Sequence, residues 1–390
     1  MKTSTRCVQL GTANDVHGAI VPPIYQTATF EQPTATEFGD FDYTRSGNPT
    51  RALLEQQLAD LEDGRYACAF ASGMAALTAL TRTLRSGDEI IAGAELYGGT
   101  VRLLERIATN QNTIVNYVDT SDAESVRQAA TSRTRLILIE TPSNPTFRIS
   151  DIRQLSLIAH EVGALLAVDN SMLSPIFQRP LNLGADIVIH SATKFLCGHS
   201  DVTAGAIITN DERVHEQIAF QQNAEGSGLS PFESWLLLRG LKTLSLRVER
   251  QNQSARKVAK FLESHDLATK VFYPGLESNG GFGVHRAQSE GDGAVVSFTT
   301  GDSELSALVV ESTRLFRIAV SFGSVGSTIS LPCRMSHASI PAQLKDRLGP
   351  PEDLVRLSVG IEDVDDLIED LRQAINVAQA IVDEKVYIVS

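Results

Sequence analysis

Cysteine is scarce in this sequence, with four in 390 residues. Cys7, Cys68, Cys197 and Cys333 stand far apart and form no C-x-x-C pair, which excludes a disulfide framework and a cysteine-paired zinc site. A reducing cytoplasm is the expected compartment. The eight histidines show no H-E-x-x-H or other metal spacing. Positive charge is also short. Lys plus Arg number 34 against 47 Asp plus Glu, a formal net charge of −13, so the electrostatic footprint of a nucleic-acid binder is missing. The acidic residues are scattered, as on an ordinary solvated surface. No run reaches the roughly eighteen apolar residues of a membrane-spanning helix, so no membrane partner is expected. The opening MKTSTRCVQLGTANDVHG lacks an apolar core followed by a cleavage site, so no secretory signal is expected; removal of a transit peptide stays open. There is no G-x-x-x-x-G-K-[ST] and no clean G-x-G-x-x-G after a strand, which excludes a P-loop and disfavours a dinucleotide fold.

What is present is an ordinary globular composition, 42% hydrophobic and 21% charged. At roughly 150 residues per domain the length allows two or three domains. Residues 1–50 are rich in Pro, Thr, Gly and aromatics and read as an extended N-terminal arm that lies on another surface, such as a neighbouring subunit. From residue 51 the pattern changes. TRALLEQQLADLED has the apolar spacing of a helix. The apolar runs EIIAG, RLILIETPS, LLAVDNS, DIVIHSATK and AGAIITN then alternate with helical stretches such as DIRQLSLIAHEVG. Such alternation predicts an α/β fold with a mostly parallel sheet covered on both faces. A large domain is expected over 51–245. A smaller α+β C-terminal domain is expected over 246–390, with strands GAVVSFTT and LFRIAVSFG and a closing helix from Asp363. The glycine-rich YPGLESNGGFGVHRAQSEGDGAVV reads as a surface loop.

In sheets of this kind ligands bind at the carboxyl ends of strands. Three strand ends carry chemistry-bearing residues. Lys194 follows DIVIHSAT between hydroxyls; it is either a snorkelling lysine or a nucleophilic amine of depressed pKa. Asp169 ends LLAVD, as a strand cap or as a carboxylate facing a pyridine nitrogen. Ser72 and Gly73 of FASGMAAL open a helix, through tight packing alone or as an anion seat. Tyr97 of AELYGGT is a core tyrosine or a ring that stacks on a flat cofactor. Tyr43 and Arg45 of DYTRSGNP face solvent or reach a phosphate. Arg356 lies in an apolar run, where a buried charge needs a partner, whether a salt bridge or a substrate carboxylate.

Together HSATKFLCGHSDVTAG, YTRSGNPTR, FASGMAAL, LYGGT, ETPSNPT, VDNSMLSP and VRLSVGIEDVDDLIEDL resemble the Cys/Met-metabolism (trans-sulfuration) family of enzymes dependent on pyridoxal 5'-phosphate (PLP), of fold type I. The resemblance runs over roughly residues 6–382. It implies a seven-stranded sheet in the large domain and PLP as cofactor. It implies that Lys194 carries the cofactor and moves protons, that Asp169 pairs with the ring nitrogen and that Tyr97 stacks on the ring. Ser72, Gly73, Met74, Ser191 and Thr193 would surround the phosphate from one subunit, and Tyr43 and Arg45 would reach it from the next. Arg356, with Ser321 and Asn144, would hold the substrate's α-carboxylate. The resemblance also implies a homotetramer, a dimer of dimers with shared active sites.

Within the family YQTATFEQP, DNSMLSP, QQNAEGSGLSPFESW and SFGSVGSTISLPCRMSHASIP resemble the plant-type branch that eliminates at Cβ of cystathionine. The γ-eliminating and γ-replacing branches more often read S-L-G-G-x-E-S where this chain has Ser321-Phe322-Gly323-Ser324-Val325-Gly326-Ser327. Gly326 thus stands where those branches have an acid, and Asp42 where some have a glutamate. Both departures are expected to alter how the far end of the substrate is held. A carbon–sulfur lyase is expected, with γ-lyase, γ-replacement enzyme and, least of all, a non-catalytic scaffold as alternatives.

Overall fold

The apolar runs become strands because each is short, rich in Ile, Leu and Val, and closed by a turn or a capped helix. In the computed structural model residues 1–9, 17–108, 110–338 and 340–389 are described. Seven strands form the larger sheet: β1 (Tyr66–Phe70), β2 (Glu89–Gly93), β3 (Ile114–Val118), β4 (Thr134–Glu140), β5 (Leu165–Asp169), β6 (Ile187–His190) and β7 (Gly205–Thr209), in the order β1-β7-β6-β5-β4-β2-β3. From β3 through β6 neighbouring strands run parallel, while β7 is antiparallel to both β6 and β1. The central strands obey the two-residue period of a sheet buried on both faces. Ile137, Ile139, Leu166 and Val168 pack with Ile152, Leu155 and Ile158 on one side. Leu136, Leu138, Ala167 and Ile189 pack with Leu77 and Leu80 on the other. The fold is the expected α/β arrangement of a mostly parallel sheet.

The second sheet has five strands, β8 (Lys270–Phe272), β9 (Val295–Thr299), β10 (Arg317–Ile318), β11 (Thr328–Ser330) and β12 (Val355–Ser358), in the order β10-β11-β12-β9-β8. Helices Leu244–Glu263, Ser303–Ser312 and Val364–Val389 cover it. Helix starts follow their caps. The Asn48 side chain accepts from the Thr50 and Arg51 N–H groups ahead of a helix with Pro49 at its first position, and the Ser72 hydroxyl accepts from Ala75 N–H.

Several stretches differ from expectation. Residues Thr3–Val8 form a short helix rather than extended chain, because Cys7 is buried and Arg6 ion-pairs with Asp63. Residues 10–16 of the arm lie outside the described residues, as does Ser339 of the SHASIP stretch. The LFRIAVSFG strand shrinks to Arg317–Ile318, since Ser321 adopts φ +82° and turns the chain away from the sheet. The glycine-rich 273–296 stretch is no loose loop. It contains the helix Phe282–Gln288, and its buried Asp292 ion-pairs with Arg256 and Arg286.

Candidate active site

Parallel strands release their carboxyl ends on one edge, and there β4, β5 and β6 present Glu140, Asp169 and the turn to Lys194. Glu140 and Asp169 are register partners on adjacent strands. A cavity of about 460 Å³ opens at this edge. Its wall includes Ser72, Gly73, Met74, Tyr97, Asn144, Asp169, Ser191, Thr193, Lys194, Ser321 and Arg356, so eleven of the thirteen residues singled out from the sequence meet in one place.

Lys194 is held by the second sheet's side of the cavity. Its Nζ lies 2.5 Å from Ser321 Oγ and 4.9 Å from the centre of the Phe322 ring. Burial lowers the pKa of this amine to about 8, and the Arg356 guanidinium acts in the same direction. Burial likewise pushes the Asp169 carboxyl up, opposed by the Ser171 N–H, which donates to Asp169 Oδ1 at 2.9 Å. Arg356 is buried, with Nη1 donating to Asn144 Oδ1 at 2.8 Å and Nη2 to the Ser321 carbonyl at 3.0 Å. A guanidinium has five N–H groups, so donors remain for a carboxylate.

A seat suited to an anion comes from local sequence. Ser72 caps the helix Gly73–Thr81, and the first-turn N–H groups of Gly73 and Met74 have no intrahelical acceptor. Glycine is required at Gly205, where a Cβ would lie 2.2 Å from the Ser72 carbonyl oxygen. Gly99 leaves room for the Tyr97 ring, since a Cβ there would lie 2.4 Å from its edge. The Thr193 hydroxyl donates to the Ala204 carbonyl at 3.2 Å and accepts from Ala204 N–H at 2.9 Å, so its proton is already engaged. The wall therefore fits PLP: an amine for its aldehyde, a carboxylate for its ring nitrogen, a ring to stack and an N–H seat for its phosphate.

Tyr43 and Arg45 lie elsewhere, in a depression with Gln26, Thr27 and Pro231, where Arg45 Nε donates to Asn223 Oδ1 at 3.2 Å. Gly326 is exposed and absent from the cavity wall, where an added Cβ would meet nothing within 4 Å.

Four residues of the site were not read from sequence. Glu140 heads the ETPSNP stretch; its Oε2 accepts from Tyr97 N–H at 3.2 Å, and burial, with Asp169 beside it, holds its carboxyl well above the usual range. Phe322 faces both Lys194 and Arg356, whose guanidinium carbon is 5.5 Å from the ring centre. Arg102 stands exposed at the cavity mouth. His337 is buried; its Nε2 lies 3.2 Å from the Asn144 carbonyl, and burial lowers its pKa to about 4. Being neutral, it donates to that carbonyl and braces the segment carrying Asn144. For Glu140 the signal was a second acidic strand end beside Asp169; Phe322 and His337 are ordinary residue types placed by loops, and Arg102 lies on the helix Gly98–Leu103.

Comparison with known proteins identifies the family. The family model for the Cys/Met metabolism PLP-dependent enzymes matches residues 4–376. The chloroplastic cystathionine β-lyase of Arabidopsis thaliana is 52% identical over 94% of this chain and 79% of its own length. The cystathionine β-lyase of Neurospora crassa is 50% identical over 94% of this chain and 80% of its own length. The crystal structure of cystathionine γ-lyase from Lactobacillus plantarum complexed with L-serine superimposes with a TM-score of 0.95 at 40% identity, covering 97% of this chain and all of that one. The architecture is that of PLP-dependent enzymes of fold type I. The chain belongs to the Cys/Met metabolism family of PLP-dependent enzymes.

Proposed function

We propose that this protein is a carbon–sulfur lyase that cleaves L-cystathionine at Cβ, releasing homocysteine, pyruvate and ammonia. The observation that carries the reading is the cavity itself, which places the Lys194 amine in a wall with two guanidinium groups, Arg356 buried and Arg102 at the mouth. Cystathionine bears a carboxylate at each end. Arg356 takes the carboxylate next to the reacting carbon, with Asn144 and the Ser321 carbonyl fixing the plane of its fork. Arg102 meets the distal one.

Bound among Lys194, Asp169, Tyr97 and the Ser72–Met74 turn, PLP supplies an electron-accepting ring that takes up the charge left when a Cα proton departs. The residues of this chain do the rest. A lysine near pKa 8 has a useful neutral fraction at neutral pH and takes the α-proton. Ser321 Oγ and the Phe322 ring hold the free amine at the cavity wall. The Asp169 carboxylate keeps a ring nitrogen protonated. Glu140, retaining its own proton, lets that negative charge rest on Asp169 alone.

Elimination at Cβ is favoured by the likeness to proteins named cystathionine β-lyase. The likeness to a cystathionine γ-lyase structure supports γ-elimination or γ-replacement as the second reading. Gly326 does not separate the two, because it stands away from the cavity wall. The test is product analysis after incubating the PLP-loaded protein with L-cystathionine. Pyruvate with homocysteine is expected. 2-Oxobutyrate with cysteine would replace the proposal by γ-elimination, and neither product from a yellow protein would move the substrate to another amino acid. A protein that does not bind PLP would leave the scaffold reading.

The proposal extends to assembly. Ile20, Val21 and Phe38 of the arm are exposed, and Tyr43 and Arg45 stand outside the cavity of their own chain. A homotetramer of two tight dimers would cover the arm and deliver Tyr43 and Arg45 to a neighbour's phosphate seat. A large unit to residue 245 and a small unit beyond it remain part of this reading, with helix Leu244–Glu263 as the connection. The unpaired thiols suit the cytoplasm.

A further inference from the structure

Arg247, on the helix Leu244–Glu263, is 5% exposed and lies outside the cavity wall. Burial lowers its pKa to about 10, so it stays charged at neutral pH. Among the described residues no carboxylate pairs with it; every hydrogen bond it makes goes to a neutral acceptor. Nη1 donates to the Phe195 carbonyl at 2.8 Å, Nη2 to the Gly240 carbonyl at 2.8 Å and to the Leu196 carbonyl at 3.4 Å, and Nε to Thr243 Oγ1 at 3.0 Å. A buried cation without an anion is costly, and an apolar residue would fill the volume more cheaply. What an apolar residue could not do is join the two carbonyls that follow Lys194 to the end of one helix and the start of the next.

The backbone is shaped to this fork. Gly198 has φ +76°, and a Cβ there would lie 1.9 Å from Arg247 Nη1; a Cβ on Gly240 would lie 2.4 Å from the Cys197 carbonyl oxygen. On the opposite side the Val325 N–H donates to the Gly198 carbonyl at 2.9 Å, and a Cβ on Gly323 would lie 2.7 Å from Phe195 N. The turn after Lys194 is thus held between Arg247 and the segment that carries Ser321.

We propose that Arg247 is a positioning residue: by binding the Phe195 and Leu196 carbonyls it fixes the turn from which Lys194 reaches into the cavity, and it ties that reach to the seating of helix Leu244–Glu263. The inference rests on Lys194 as the cofactor-bearing lysine and not on which substrate is cleaved.

The test uses the full-length protein and three variants, Arg247→Met, Arg247→Lys and Val248→Ala. Val248 is buried on the same helix and serves as a packing control. PLP is removed and added back. The rate at which it bonds to Lys194 is followed by borohydride fixation and the mass of the Lys194 peptide. Arg247→Met should slow bonding, and lower kcat on L-cystathionine, by about 10–100-fold, the range expected for misplacement of a reacting group by an ångström or so. KM should stay within about threefold, since no group that binds substrate is lost. Arg247→Lys should restore part of the rate, because an ammonium reaches one or two carbonyls but cannot span the fork. Val248→Ala should lower the melting temperature without slowing bonding. A folded Arg247→Met that bonds PLP at the wild-type rate, or no more slowly than Val248→Ala of equal melting temperature, would overturn the proposal. Where Arg247→Met does not fold, Arg247→Lys decides by the same comparison. The bonding rate keeps this result separate from the reaction assignment, since it needs no turnover.

Discussion

Lys194 Nζ and Ser321 Oγ are 2.5 Å apart, and the serine that makes this contact sits at φ +82°. A side chain is disfavoured in that backbone region, so the chain accepts strain to place a hydroxyl beside the lysine. Two substitutions separate the hydroxyl from the backbone. Ser321→Gly and Ser321→Ala both remove the contact and should both lower kcat, by roughly tenfold for loss of one positioning bond. Glycine relieves the strain and alanine keeps it. Thermal unfolding should therefore find Ser321→Gly more stable than Ser321→Ala by about 0.5–1 kcal/mol. Equal activity to wild type in either variant would detach the hydroxyl from the lysine's function.

The depressed pKa of Lys194 has a consequence for stability. The ordinary value is 10.5 and the folded value is about 8. Between them the unfolded chain binds more protons than the folded one, so stability rises with pH across that interval. Below pH 8 the folded protein without cofactor carries the full cost of a buried ammonium, on the order of 3 kcal/mol. Lys194→Met keeps the volume and removes the charge. Both proteins compared without PLP, Lys194→Met should melt higher than wild type at pH 7, and the difference should disappear as the pH approaches 10.5. A difference that is constant with pH would mean that the gain came from packing rather than from the charge.

How much of this was legible in the sequence depends on what fixes each residue. Strands β2, β4, β5, β6 and β7 were readable because they are short runs of Ile, Leu and Val closed by turn residues. β1 escaped because YACAF is mostly small residues, and β3 because IVNYV lies at the sheet edge with an exposed first residue. Lys194, Asp169 and the Ser72 turn were legible because strand ends and helix caps are local. Phe322 and His337 were not. Phe322 lines the cavity and His337 sits behind it on the Asn144 carbonyl, both on loops beyond strands of the second sheet, and no spacing marks such a placement. Arg247 sits on the amphipathic helix Leu244–Glu263, where an arginine is an ordinary residue; only its bonds to the Phe195 and Leu196 carbonyls, distant in sequence, distinguish it.

Glu140 and Asp169 stand side by side on neighbouring parallel strands, and their protonation is opposite in this reading. Burial and the nearby Asp169 push the Glu140 carboxyl up, which favours its protonated form. An amide is the neutral look-alike of a protonated acid and still accepts from Tyr97 N–H. Glu140→Gln should therefore leave kcat within about threefold of wild type, as for a swap that preserves the transition-state charge pattern. Asp169→Asn removes the charge proposed to face the ring nitrogen and should cost at least about 100-fold. Steady-state rates with saturating PLP measure both. A large loss in Glu140→Gln would show that its ionised form takes part.

Arg45 tests the shared site. It lies outside the cavity of its own chain, with its Nε on Asn223 and its guanidinium 5.5 Å from the centre of the Tyr43 ring. If Arg45 serves a neighbour's phosphate, Arg45→Ala should loosen PLP, seen as faster loss on dialysis, while Lys194→Ala should abolish turnover. Each variant alone leaves every site with one lesion. In a mixed dimer one site collects both lesions and the other collects neither, because lysine and arginine come from different chains. Mixed dimers should then recover up to about half the wild-type activity per dimer, one intact site of two, as mass action in a symmetric pair requires. Verified mixed dimers with no more activity than the Arg45→Ala protein in the same amount would place Arg45 and Lys194 in the service of the same chain. The sharing would then have to be given up even if the protein proved to be a tetramer.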